Sequence, residues 1–159
     1  MLTEVTLSEG AETLLAFILR HPTASAALEA WCAARMPGQL HAAVIEDRVL
    51  APGGDSPLQG APLRYRRVAL SWGGTVVSRA ENWYLPDSLP SDVAARLLTT
   101  QTPFGVLLEC HGPERRLLSA DVTDAADHIL DVRAALALPG RGDVAVVREL
   151  YAPALLSLG

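Results

Sequence analysis

The stretch Arg64-Tyr-Arg-Arg-Val-Ala-Leu-Ser-Trp72, followed by Gly73-Gly74 and a second apolar run from Thr75 to Leu85, decides the fold. Val68, Leu70 and Trp72 alternate with Arg67, Ala69 and Ser71, which is the period of a strand with one buried face. Gly73-Gly74 is the dipeptide most compatible with a two-residue primed turn, so Leu63 to Leu85 reads as a β-hairpin closed by Pro86. Two residues back from Val68 along the apolar face lies Arg66, which puts an arginine on the buried side. A buried guanidinium cannot shed its charge. Arg66 therefore needs an anionic partner, and either a protein carboxylate or a bound acid would serve.

Upstream of the hairpin, Ser8 to Arg20 has the apolar density and spacing of a helix docked on a core, and His21-Pro22 ends it. Thr23 offers an N-cap hydroxyl to a second helix, Ser25 to Arg35, stopped by Pro37-Gly38. Leu40 to Ile45 reads as a first strand. Ala51 to Pro62, with three prolines and three glycines, must be a loop, and it is placed to act as a mobile flap over a pocket. Downstream, Ser91 caps a short helix through Leu98, and Thr99 to Gly105 leads into the apolar segment Val106 to Cys110. Arg115 to Val122 and Ile129 to Leu138 are strand candidates, although Ala125 to Leu138 is alanine-rich enough to be helical in part. Arg141-Gly142-Asp143 is a tight turn before Val144 to Tyr151, the last strand, which ends at Pro153. This order describes an α+β fold, a single domain over residues 1–159 in which helices pack on an antiparallel sheet.

Composition narrows the function classes. The chain has 159 residues, 50% apolar and 19% charged, which suits one domain with a real core. The formal charge is −5, and the arginines are scattered without a stripe or block, so no nucleic-acid footprint is expected. All 13 basic residues are arginine, and the absence of lysine excludes Schiff-base chemistry and a P-loop lysine. Cys32 and Cys110 are far apart in apolar surroundings and read as reduced, buried thiols. The start MLTEVTLSEG is acidic and polar, unlike a signal peptide, and no apolar run approaches the length of a membrane span; a cytoplasmic location is expected.

No GxSxG, HExxH, paired CxxC or GxGxxG motif is present. His21, His41, His111 and His128 lack metal-ligand spacing, so no metal site and no cofactor are expected. The charged residues set within strongly apolar strands are Arg66 and the pair Arg148-Glu149, only one of which can point inward.

The run Arg66-Arg-Val-Ala-Leu70, the turn at Gly73-Gly74, the strand ending Tyr84-Leu-Pro86, the segment Thr102-Pro-Phe-Gly105 and the closing Arg148-Glu-Leu-Tyr-Ala-Pro153 resemble the chorismate lyase family. These are the chorismate pyruvate-lyases of ubiquinone biosynthesis, and order and spacing match over nearly the whole chain. The resemblance implies that Arg66 binds the ring carboxylate, helped by the backbone amides of Ala24 and Phe104, and that Glu149 approaches the ring hydroxyl. Helix N-terminal amides suit that task. The family's usual arginine-and-threonine pattern is not kept where this chain reads Ser78-Arg-Ala-Glu-Asn-Trp-Tyr84, so the outer strand differs, and its bulky methionine beside the carboxylate is replaced by Ala24.

The resemblance implies cofactor-independent elimination of pyruvate from chorismate to give 4-hydroxybenzoate, with Arg66 and Glu149 as the catalytic pair. Desolvation should raise the Glu149 pKa, opposed by Arg66 if the two are close. Arg79, Arg133 and Arg148 are candidates for a second carboxylate. The alternative is a non-catalytic binding protein for a small aromatic carboxylic acid, related to the effector-binding domains of bacterial regulators; a purely structural or interaction protein is the third class, and for Arg66 alone the plain reading is a structural ion pair with Glu149. Oligomeric state is not readable.

Overall fold

The computed structural model describes residues 4–51 and 54–159; the first three residues of the acidic N-terminus and Pro52-Gly53 of the long loop lie outside them. Two helices, α1 (Glu4–Leu19) and α2 (Ala24–Ala33), precede the strands β1 (Leu40–Leu50), β2 (Leu63–Trp72) and β3 (Thr75–Tyr84). The helices α3 (Ser91–Thr99) and α4 (Phe104–Leu108) separate these from β4 (Glu114–Val122), β5 (Leu130–Leu138) and β6 (Gly142–Tyr151). All six strands form one antiparallel sheet in the order β1-β2-β3-β6-β5-β4. The α+β, single-domain architecture expected from the sequence is the one observed.

The hairpin turns at Gly73 and Gly74, whose φ angles of 56° and 83° are left-handed and favour glycine. Thr23 caps α2 as its hydroxyl position suggests, accepting from the Ala26 amide at 3.1 Å. α3 departs from expectation: its cap is Pro90, without a side-chain bond, and Ser91 is already in the helix. β1 runs five residues past Ile45, through a register shift between Val44 and Glu46. The alanine-rich stretch before Leu138 has no helix, because β5 is hydrogen-bonded on both sides, to β4 and β6, and that pairing overrides local helix propensity. Cys32 is buried as expected, whereas Cys110 is exposed, since the turn after α4 carries it outward.

One sheet face carries Val68, Leu70, Trp72, Ala80, Val132, Val147 and Tyr151 and packs against the four helices. Arg66 shares this face and is fully buried. The described part of the loop, residues 54–62, lies on the other face. Leu58 packs there with Leu63, Ala135 and Val146, residues of opposite parity to Arg66 and Val147. The flap reading is therefore corrected: the loop seals a small apolar cluster behind the sheet. Leu58→Ala should cost roughly 2–3 kcal/mol of stability. Hydrogen exchange over residues 54–62 should not change on saturation with 4-hydroxybenzoate; protection there would return the loop to the site.

No helix among the described residues is long and apolar enough to cross a membrane.

Candidate functional site

Adjacent strands bring the inward polar residues together. Arg66 on β2 stands opposite Asn82 on β3, which stands opposite Val147 on β6; one pleat repeat along, Val68, Ala80 and Glu149 form the next row. Arg66 and Glu149 thus share one face of the sheet, two strands and one pleat repeat apart, about 12 Å between backbone positions. Above them the N-termini of α2 and α4 meet. Gly105 permits that meeting, because a Cβ there would lie 2.8 Å from the Thr23 Cβ and 2.9 Å from the Ser25 hydroxyl. Gly105→Ala should force the two helix starts apart at a cost of roughly 1–3 kcal/mol. Acid affinity should fall with it; unchanged stability and affinity would show that the close approach is immaterial.

Between sheet and helices lies a cavity of about 30 Å³ lined by Ala24, Phe104 and Glu149 together with Asn82, Arg115 and an apolar wall including Val68 and Leu70. That is room for one or two waters, so an organic ligand must part the wall to lie here. Thr23 already satisfies the Ala26 and Ala27 amides with its hydroxyl and carbonyl, leaving the Ala24 and Ser25 amides as the outward pair at the start of α2.

Arg66 is the most demanding group in the molecule. Its Nη2 donates to the Thr102 carbonyl at 3.2 Å, while its Nε and Nη1 are buried without a partner. Burial drives its pKa down, with Asp47 and Tyr84 opposing, yet a guanidinium stays charged. Asp47 does not neutralise it by contact: that carboxylate accepts from Arg64 Nε at 2.9 Å and from the Tyr84 hydroxyl at 2.9 Å. Among the described residues, no carboxylate forms an ion pair with Arg66, so the proposed structural pairing with Glu149 is not made. The Thr99–Pro103 segment that supplies the carbonyl is tied to the sheet edge by Gln101, whose Oε1 accepts from the Val44 amide at 3.2 Å beside the β1 bulge.

Glu149 is almost fully buried, and its Oε2 has no partner. Desolvation pushes its pKa up to about 7, and the opposing cation is Arg115, where the sequence pointed to Arg66. Arg115 reaches in from β4, donates to the Ile18 carbonyl and keeps a buried Nη1 unpaired. Tyr151, two residues after Glu149 on the same face, has a buried hydroxyl near Arg115 that also finds no well-formed bond, and its pKa rises with burial and with the Glu149 charge.

The arginines considered for a second carboxylate are misplaced for that role. Arg148 pairs with Asp131 at 2.8 Å and with Glu81 at 3.4 Å, and Arg79 and Arg133 share its parity, so all three stand on the face away from the cavity. Arg115 was missed because Glu114-Arg-Arg116 looks like the solvated start of an edge strand. In the folded sheet Arg115 stands opposite the inward Leu136, but the strand sequence shows no phase, since Leu117 and Leu118 are both apolar and both exposed.

No family model matches the sequence. The uncharacterized protein y4mC of Sinorhizobium fredii (strain NBRC 101917 / NGR234) is 30% identical over 105 residues, 59% of this chain. The chain spans 44% of the length of that relative. Among solved structures, PhnF from Mycobacterium smegmatis matches at a TM-score of 0.51 and 12% identity, covering 82% of this chain and 63% of that one. The effector domain of PhnF by itself matches at 0.50 and 12% identity, covering 82% and 88%. At such identity the likeness speaks to fold alone, and it establishes that this chain has the fold of that effector domain.

Proposed function

We propose that the chain is a binding domain for a small carboxylic acid with an apolar body, an aromatic acid being the first candidate. The observation that carries this reading is Arg66, fully buried and charged, with two guanidinium nitrogens unpaired and no carboxylate in contact. A ligand carboxylate would supply the missing charge and both missing acceptors, with the amides of Ala24 and Phe104 completing its shell. The Thr102 carbonyl occupies one guanidinium nitrogen meanwhile. The likeness to the effector domain of PhnF supports binding over catalysis. Calorimetric titration with 4-hydroxybenzoate tests it, and absence of saturable heat and of thermal stabilisation would reject it.

Elimination of pyruvate from chorismate is the second reading, favoured by one observation: Glu149 is buried in the cavity wall and holds its proton up to about pH 7. A carboxyl poised there could move a proton at the ring hydroxyl while Arg66 and the amides hold the ring carboxylate. Pyruvate release from chorismate above the uncatalysed rate, reduced about 10- to 10⁴-fold by Glu149→Gln, would establish it. Tight 4-hydroxybenzoate binding with no pyruvate release leaves the binding reading alone.

A further inference from the structure

We infer that Tyr84 and Arg64 are positioning residues for the acid site: by holding the Asp47 carboxylate away from Arg66, they keep that guanidinium open to a ligand. The inference rests on the binding reading above and names the residues that stop the chain from filling its own site. Asp47 of β1 stands directly opposite Arg66 of β2, so the two side chains share a face. Directly opposite residues have Cβ atoms about 4.5–5.5 Å apart, the relation in which opposite charges ordinarily pair across strands. Here they form no ion pair. The Asp47 carboxylate reaches diagonally instead, to Arg64 Nε at 2.9 Å and to the Tyr84 hydroxyl, which lies 3.1 Å from Oδ1 and 2.9 Å from Oδ2. Arg64 and Tyr84 are themselves cross-strand partners, one pleat repeat along from Arg66 and Asn82. Both carboxylate oxygens are thus engaged while Arg66 Nε and Nη1, on the neighbouring row, are unpaired.

Charge shows what this arrangement achieves. One carboxylate stands between two arginines, and whichever it pairs with leaves the other without a counterion. The Arg64 side chain is 20% exposed and reaches solvent, whereas Arg66 is fully buried. Electrostatics alone would send the carboxylate to the buried cation, where an unpaired charge is most costly. The Tyr84 hydroxyl reverses that preference. It is a strong donor to a carboxylate, and burial first, then the Asp47 charge, pushes its pKa up to about 12, so it keeps its proton. Burial fixes its ring, which packs on Phe104 with 5.6 Å between ring centres. Tyr84→Phe keeps that packing and removes only the hydroxyl. The Asp47 oxygens it frees then face the unpaired Arg66 nitrogens directly across the strands, and the protein itself supplies the counterion that a ligand acid would bring.

The test is a double-mutant cycle on the intact chain, read by calorimetric titration with 4-hydroxybenzoate. Tyr84→Phe should weaken binding about tenfold, the loss expected when a charge-assisted hydrogen bond is removed and its acceptor turns to compete with the ligand. Asp47→Asn alone should not weaken binding, because an amide at that position can still accept from Arg64 and has no charge with which to compete. The double variant should bind as Asp47→Asn alone does, a coupling of about tenfold between the two positions. Structural damage by Tyr84→Phe would persist in the double variant, and a general effect of the Asp47 charge would raise affinity equally in both backgrounds; either result overturns the inference. Tyr65→Phe removes a matching hydroxyl-to-carboxylate bond, to Glu81 on the opposite face, and should leave affinity unchanged; a tenfold loss there would also overturn it. If the Tyr84 variant fails to fold, Asp47→Asn decides the matter, since weakened binding would show that the carboxylate supports the site. Wild-type binding that depends on Arg66 but is untouched by Tyr84→Phe would remove this inference alone; no binding by the wild-type protein would remove the reading on which it rests.

Discussion

Arg66→Met should abolish acid binding and, in the ligand-free protein, raise stability. Removing a charge-assisted, bidentate anchor costs roughly 2–5 kcal/mol of binding. The gain in stability comes from the other side of the same fact. A side chain 0% exposed, with one bond to a carbonyl and two unpaired nitrogens, is held in place against its desolvation, and an apolar chain of similar volume removes that penalty. Replacing buried ionic groups by well-packed apolar ones is often neutral or stabilising by about 1–4 kcal/mol. Arg67→Ala, on the opposite face, should change neither quantity much. Chemical denaturation with and without 4-hydroxybenzoate checks both signs at once. If Arg66→Met is strongly destabilising, the guanidinium is part of the scaffold and the ligand argument fails; if Arg67→Ala matches it in binding, the strand phase is wrong.

Such a trade of stability for a site is what separates Arg66 from the arginines behind the sheet. Arg148 spends its donors on Asp131 and Glu81, and that pairing raises its pKa, whereas burial lowers that of Arg66. A network with its charges paired needs no ligand. The same sheet thus carries a self-satisfied ionic face and a face on which buried polar atoms of Arg66 and Glu149 remain unpaired, with α2, α4 and the Thr99–Pro103 segment closing over the latter.

Strand periodicity made the placement of Arg66 legible, because parity in a strand is fixed by the pleat; for Arg148-Glu149 it said only that one of the two points inward, and the choice of Glu149 came from the family resemblance. The hairpin turn was legible because only glycine suits two successive left-handed residues. What escaped was long-range. Nothing in Ala51 to Pro62 says which face of the sheet it covers; Leu58 settles that by packing on Val146, a contact between residues far apart in sequence. Arg115 escaped for a related reason. Glu149, whose pKa it opposes through charge, lies in a strand that reaches β4 only across β5, so their shared place in the cavity wall depends on sheet order, which composition and period do not encode. The cavity's small size is likewise a property of packing between α2, α4 and the sheet.

Glu149 should make the protein less stable as pH rises from about 4.5 to about 7, and Glu149→Gln should remove that slope. Its pKa in the folded state is raised from 4.5 to about 7 by burial, with Arg115 opposing, so the folded chain binds this proton more tightly than the unfolded chain does. Below the lower value both states are protonated and the residue contributes nothing. Between the two values the unfolded state has lost the proton and the folded state has kept it, so each rise in pH favours unfolding; above the higher value the penalty is complete. A rise from 4.5 to about 7 corresponds to about 3 kcal/mol. Asp131 and Asp143 act in the opposite sense, since bonds from Arg148 and Arg116 lower their pKa values and their contribution is lost only as acid is added. Subtracting the Glu149→Gln profile from the wild-type profile isolates the single residue. The glutamine protein should be the more stable at pH 8 by up to about 3 kcal/mol and the two should converge near pH 4. A difference profile that is flat from pH 4 to pH 8 would mean that water reaches the carboxylate, and the reading of Glu149 as a desolvated carboxyl that holds its proton to about pH 7 would have to be abandoned.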